Sequence, residues 1–171
     1  KAQAEKLFKT LSKIPELNGV FKNNSLDQLL KQAEIDVIGL DFEDSSVFGI
    51  DVAFHSAGLN YGDNKSIVLK KMLRTILVMQ CYFSKFDKYK SIFVTPVASI
   101  KVKNEIQEIL SVIKNTINDD AISLEFISDN DFYSTIIDQL LINAHNENDT
   151  MDLFLRSQKI VSLDERAKQG P

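Results

Sequence analysis

Residues Ile35 to His55, IDVIGLDFEDSSVFGIDVAFH, constrain the fold more than any other stretch of this chain. Two apolar runs, Ile35–Phe42 and Val47–His55, flank the polar cluster Glu43-Asp44-Ser45-Ser46. Short runs rich in Val, Ile and Phe, broken by an Asp/Ser cluster, predict a β-hairpin. Both runs carry acids that a buried strand disfavours: Asp36 and Asp41 in the first, Asp51 in the second. A turn centred on Glu43-Asp44 sets Leu40 opposite Val47, Ile38 opposite Gly49 and Asp36 opposite Asp51. Directly opposed side chains share a face with Cβ atoms roughly 4.5–5.5 Å apart. Two carboxylates that close repel each other unless a cation lies between them, and Mg²⁺ suits an oxygen-only site. A one-residue slip in register would instead send the two acids to opposite faces. Asp36 would then be a strand-edge residue and Asp51 would be satisfied by backbone donors.

The rest of the chain supplies the support for such a hairpin. Apolar spacing at Ala4, Leu7, Phe8 and Leu11 predicts a short amphipathic helix. Ser25 with Gln28 has the form of a capping box opening a second helix that runs to about Ala33. After the hairpin, the glycine- and asparagine-rich loop Ser56–Asn64 leads to a helix capped by Asn64 and ending near Phe83. Strands follow at Ser91–Thr95 and Ala121–Ser128, with a helix over Val102–Ile117 between them. Asp129 or Asn130 starts a further helix. A polar break at His145–Thr150 then precedes a last helix at Met151–Val161. The expectation is one α/β domain over 1–171, with N-terminal helices in 1–33, the hairpin and core in 35–128 and C-terminal helices in 129–161. A central mixed sheet begun by the hairpin is flanked by helices, on both faces of its later strands.

A chain of 171 residues, 44% of them hydrophobic, can bury one good core. No run of roughly eighteen apolar residues is present, and no basic-then-apolar leader opens the sequence, so a cytoplasmic protein with no membrane partner is expected. The single cysteine, Cys81, can build neither a disulfide nor a cysteine-based zinc site. Charge is unevenly placed although the net value is only −4. Between Asn64 and Asn104 nine Lys and Arg face Asp87 alone, whereas Asp27–Asp63 holds eight acids against Lys31. An acidic centre followed by a basic flank suits a metal site beside a phosphate-binding surface. Lysine-rich helix faces in contact with solvent produce the same pattern. Lys65, Lys70, Lys71 and Arg74 are the candidate nucleic-acid contacts, and Lys70, Lys71 and Arg74 form an i, i+1, i+4 cluster.

An acid at the head of one strand, a turn, and a second acid inside the next strand resemble the PD-(D/E)xK, or restriction-endonuclease-like, nuclease superfamily. Ile35-Asp36-Val37-Ile38-Gly39 corresponds to the first part of that pattern and Gly49-Ile50-Asp51-Val52-Ala53 to the second. The resemblance spans about residues 25–128. It implies Mg²⁺-dependent endonucleolytic hydrolysis of DNA, with Asp36 and Asp51 as metal and catalytic residues. It also implies partners in the form of DNA and, with it, a second copy of the chain or a larger complex. Ala53 stands where the family carries its catalytic lysine, which orients or activates the attacking water and stabilises charge on phosphorus. Two readings follow from that departure. A cation arrives from elsewhere, with His55, Lys65, Lys70, Lys71 and Arg74 in range and His55 and Lys70 expected as the catalytic pair. Otherwise the domain is a degenerate nuclease that binds nucleic acid or protein without cutting. A weaker resemblance, to RNase H-like and actin-like folds, runs through Ile38-Gly39-Leu40-Asp41 and would make Asp41 the metal acid.

Overall fold

The computed structural model describes residues 1–21, 24–54, 58–59, 62–139 and 142. His55, the polar break at 145–150 and the helix expected over 151–161 lie outside the described residues. The chain divides into two compact units, Lys1–Asp129 and Asn130–Pro171.

In the first unit, β1 (Val37–Asp41) and β2 (Ser46–Val52) form the expected antiparallel hairpin. The pairing is Leu40 with Val47 and Ile38 with Gly49. The turn closes on a side chain: Asp41 Oδ1 accepts from the amides of Glu43 and Asp44 at 2.9 and 3.0 Å. Asp41 is therefore occupied with shaping the turn, which accounts for an acid at the end of an apolar strand without any metal role. Lys88 Nζ holds the turn from outside, 2.7 Å from Asp44 Oδ1.

Beyond the hairpin the chain alternates helix and strand: α4 (Asn64–Tyr82), β3 (Lys88–Thr95), α5 (Ile100–Ile117) and β4 (Ile122–Ser128). The four strands form one mixed sheet in the order β1-β2-β3-β4, antiparallel in the hairpin and parallel thereafter. Each parallel step moves to the next strand in the same direction. Right-handed crossovers then place α4 and α5 on the same side of the sheet. Their shared core bears this out, with Val68 and Met72 of α4 and Ile106 of α5 packed with Ala53, Phe93 and Phe126. Within this unit the crossover helices thus cover one face, where the sequence suggested both.

Before the hairpin come α1 (Ala2–Leu11), a 3₁₀ turn at Pro15–Leu17, α2 (Asn18–Phe21) and α3 (Leu26–Lys31). The capping box is formed: Gln28 N donates to Ser25 Oγ, and Ser25 N donates to Gln28 Oε1 at 2.8 Å. These helices pack on the outer side of α4 in a core that includes Leu7, Leu11, Leu17, Phe21, Leu29, Leu69, Leu73 and Leu77. A helix held between a sheet and a second helical layer must be apolar around most of its circumference. That accounts for the nine buried residues of α4. Its N-cap is Asp63, one residue before the expected Asn64, accepting from Ser66 N at 3.1 Å. A carboxylate there also complements the positive end of the helix dipole.

In the second unit, the described residues form a short helix at Asn130–Phe132 that continues as a π-helical turn at Tyr133–Ile137. No helix among the described residues is long and apolar enough to cross a membrane.

Candidate functional site

Asp51 lies in β2 on the side that faces α4, and it is only 1% exposed. An isolated carboxylate in such a place would be strongly destabilising, so its partners define the site. Thr75 of α4 donates its hydroxyl to Asp51 Oδ2 at 2.8 Å. Lys71, one turn earlier on the same helix, brings Nζ to 3.6 Å from Oδ1. That separation makes an ion pair but no hydrogen bond, and Oδ1 is a buried oxygen that accepts none. Residues four apart share one helix face, so Lys71 and Thr75 meet Asp51 together.

The approach of α4 depends on Gly49, two residues before Asp51 on the same face of β2. A Cβ at Gly49 would sit 2.3 Å from Thr75 Cγ2 and 3.0 Å from Met79 Sδ. Any side chain there would push the helix, and with it the Thr75 hydroxyl, away from the strand.

Asp36 immediately precedes β1, and extending the Val37–Ile50 pairing by one residue sets it opposite Asp51. The register inferred from the turn is the one observed. Asp36 is exposed, and its Oδ2 accepts from Val52 N at 2.7 Å. It thus replaces the backbone carbonyl that would otherwise continue the ladder. Burial is the main influence pushing the Asp51 carboxyl above the ordinary carboxylate range, and the neighbouring charge of Asp36 adds to it. The Thr75 hydrogen bond and the Lys71 ammonium act in the opposite direction. A buried acid, an exposed acid across from it and an ammonium at its side bring titratable groups together around a carboxyl shifted from its usual range, which marks this place as a candidate functional site. Among the described residues no third His, Cys, Asp or Glu joins the two acids. The Asp36 carboxylate and the buried Oδ1 of Asp51, which accepts no hydrogen bond, are the groups a Mg²⁺ ion would use here, with the balance made up by water and substrate phosphate.

The remaining candidates fall elsewhere. Lys70 precedes Lys71 by one position, about 100° around the helix, so Lys71 rather than Lys70 is the lysine brought to Asp51. Arg74 is directed to the end of α3, donating to Gln32 Oε1 at 3.0 Å and to the Gln32 carbonyl at 3.4 Å. Burial lowers its guanidinium pKa, with Glu34 opposing the shift. Lys65 lies in the first turn of α4, at the end of the helix nearest the C-terminal ends of the parallel strands. Lys101 and Lys103 open α5 at the same edge of the sheet. Sequence reasoning did not identify Thr75 or the role of Gly49. The available signals were the Lys71/Thr75 spacing and a glycine inside an apolar strand, which often marks close backbone approach.

No protein-family model matches this chain, and comparisons with curated proteins and with solved structures likewise return no match.

Proposed function

We propose that this chain is a restriction-endonuclease-like domain that hydrolyses DNA phosphodiester bonds with the help of Mg²⁺. The observation that carries this reading is the Lys71–Asp51 ion pair in a hairpin whose register sets Asp36 opposite Asp51. The lysine absent at Ala53 is supplied from α4, one helix further along the chain. Asp36 and Asp51 would hold the metal. When bound, the ion supplies Lewis-acid polarisation of the phosphate and lowers the pKa of a coordinated water. Thr75 fixes the Asp51 carboxylate, and Lys71 offers its ammonium to a phosphate oxygen as negative charge builds there. Lys65, Lys101 and Lys103 at the same sheet edge provide backbone contacts to the strand being cut. Such a substrate and the single thiol suit a cytoplasmic protein.

The direct test is cleavage of supercoiled plasmid in the presence and absence of Mg²⁺. Metal-dependent nicking that Asp51→Asn abolishes and Lys71→Met lowers by about 10²–10³, the usual effect of removing one charge-stabilising group, is the expected outcome. One observation favours a second reading. The Lys71 ammonium already neutralises Asp51, as in a degenerate domain retained for binding nucleic acid or a protein. DNA binding without cleavage, undiminished by Asp51→Asn, would select that alternative.

A further inference from the structure

The two oxygens of Asp51 are used differently. Oδ2 is tied to the Thr75 hydroxyl at 2.8 Å, and that hydroxyl belongs to a fully buried residue on a helix that Gly49 lets approach. Oδ1 is buried, accepts no hydrogen bond and has only the Lys71 ammonium 3.6 Å away. A structural ion pair would be expected to close to about 2.7–2.9 Å, with the ammonium donating directly. The lysine here stops short, and its side chain is 32% exposed where the carboxylate is 1% exposed. One partner is therefore fixed in the protein and the other can leave toward solvent.

We propose that Asp51 Oδ1 is a cation seat with alternating occupants, and that Lys71 is the internal counter-ion a divalent metal must displace. This inference rests on the metal-dependent reading above and adds regulation of the same site. Without metal, the ammonium keeps a buried carboxylate from standing as an uncompensated charge, a state that would be strongly destabilising. With a metal bound at Oδ1, the Lys71 ammonium would move toward solvent, the side on which its own side chain is already 32% exposed. The group that compensates Asp51 in the metal-free protein would thus be the group available to substrate once metal is bound. Thr75 is a positioning residue: by holding Oδ2 it keeps Oδ1 directed at the seat in both states. Exchange of this kind makes metal affinity in the native protein weaker than the two carboxylates alone would give.

The test is Mn²⁺ binding to the intact chain by calorimetry, without DNA, so that no step of catalysis enters the readout. Lys71→Met keeps the length of the side chain and removes its charge. It should tighten Mn²⁺ binding by about tenfold or more, because an ammonium within about 4 Å of a divalent ion repels it even through water. The same variant loses cleavage, so affinity and activity move in opposite directions. Thr75→Val should weaken Mn²⁺ binding by about 10–100-fold, the usual effect of losing an outer-shell partner, and Thr75→Ser should restore it. Thermal unfolding without metal identifies any variant that has lost its fold, in which case the Ser and wild-type proteins carry the comparison. If Mn²⁺ binds the native chain and Lys71→Met binds it no more tightly, the exchange is wrong while the metal-dependent reading stands. If neither protein binds Mn²⁺, that reading falls and the seat falls with it.

Discussion

Asp51 concentrates the tension between stability and chemistry in this fold. Its carboxyl is raised above the usual range, chiefly because burial penalises the charged form. A folded-state pKa above the unfolded one means that the native state holds the proton more tightly. The associated stability is fully present below the unfolded value of 3.8 and is lost as pH rises through the folded pKa. At neutral pH the ionised group therefore lowers stability. Asp51→Asn, which keeps an acceptor for the Thr75 hydroxyl, should melt at a higher temperature than the native protein at pH 7. That advantage should shrink as the pH falls toward 3.8, where Asp51 itself becomes protonated. Thermal melts of both proteins across pH measure the difference directly, and an advantage that persists unchanged into acid would contradict this account.

At the scale of elements, the contact between β2 and α4 organises the site, because one helix supplies both Lys71 and Thr75 to a single strand residue. Gly49 sets the separation. Gly49→Ala introduces a methyl group 2.3 Å from Thr75 Cγ2, and forcing extra volume into a packed contact costs roughly 1–3 kcal/mol. Gly39 in β1 provides a control within the same hairpin, since its added Cβ would meet nothing closer than Phe48 Cβ at 3.5 Å. Chemical denaturation should show a loss in that range for Gly49→Ala and a change within about 0.5 kcal/mol for Gly39→Ala. Equal effects would mean that helix approach is not what Gly49 provides.

For the molecule as a whole, the basic excess between Asn64 and Asn104 is distributed by topology. A parallel sheet with helical crossovers brings the starts of α4 and α5 to the edge where β2 ends, so Lys65, Lys101 and Lys103 share the sheet edge with Asp51. Several basic residues are paired within the fold: Lys88 with Asp44, Lys90 with Glu125, Lys101 with Glu105 one turn along α5, and Arg74 with Gln32. Three or four phosphate contacts from this edge would give a slope of log K against log[salt] near about −3 for duplex DNA. Reversing Lys65 and Lys101 to Glu should flatten that slope by nearly two contacts. Fluorescence anisotropy at several salt concentrations reads it, and a slope near zero would leave these lysines as solvent-exposed surface.

The hairpin, its register and the opposition of Asp36 to Asp51 were legible in the sequence because they are local. A two-residue period, an Asp/Ser turn and the pairing rule are enough to set which residues oppose one another. The alternation of helices and strands and the Ser25 capping box were legible for the same reason. Which lysine reaches Asp51, and that Thr75 should be its hydrogen-bond partner, could not be read in advance. Lys70 and Lys71 are adjacent in the chain, and only the rotation of α4 against the sheet separates them. That rotation is set by packing: the apolar surfaces of α4 are held by the sheet on one side and by α1, α2 and α3 on the other. The closeness of the helix in turn depends on a missing Cβ at Gly49. The Lys71–Asp51 and Thr75–Gly49 contacts join residues 20 and 26 positions apart in the chain, so local pattern determined the acid pair and the tertiary structure determined the cation beside it.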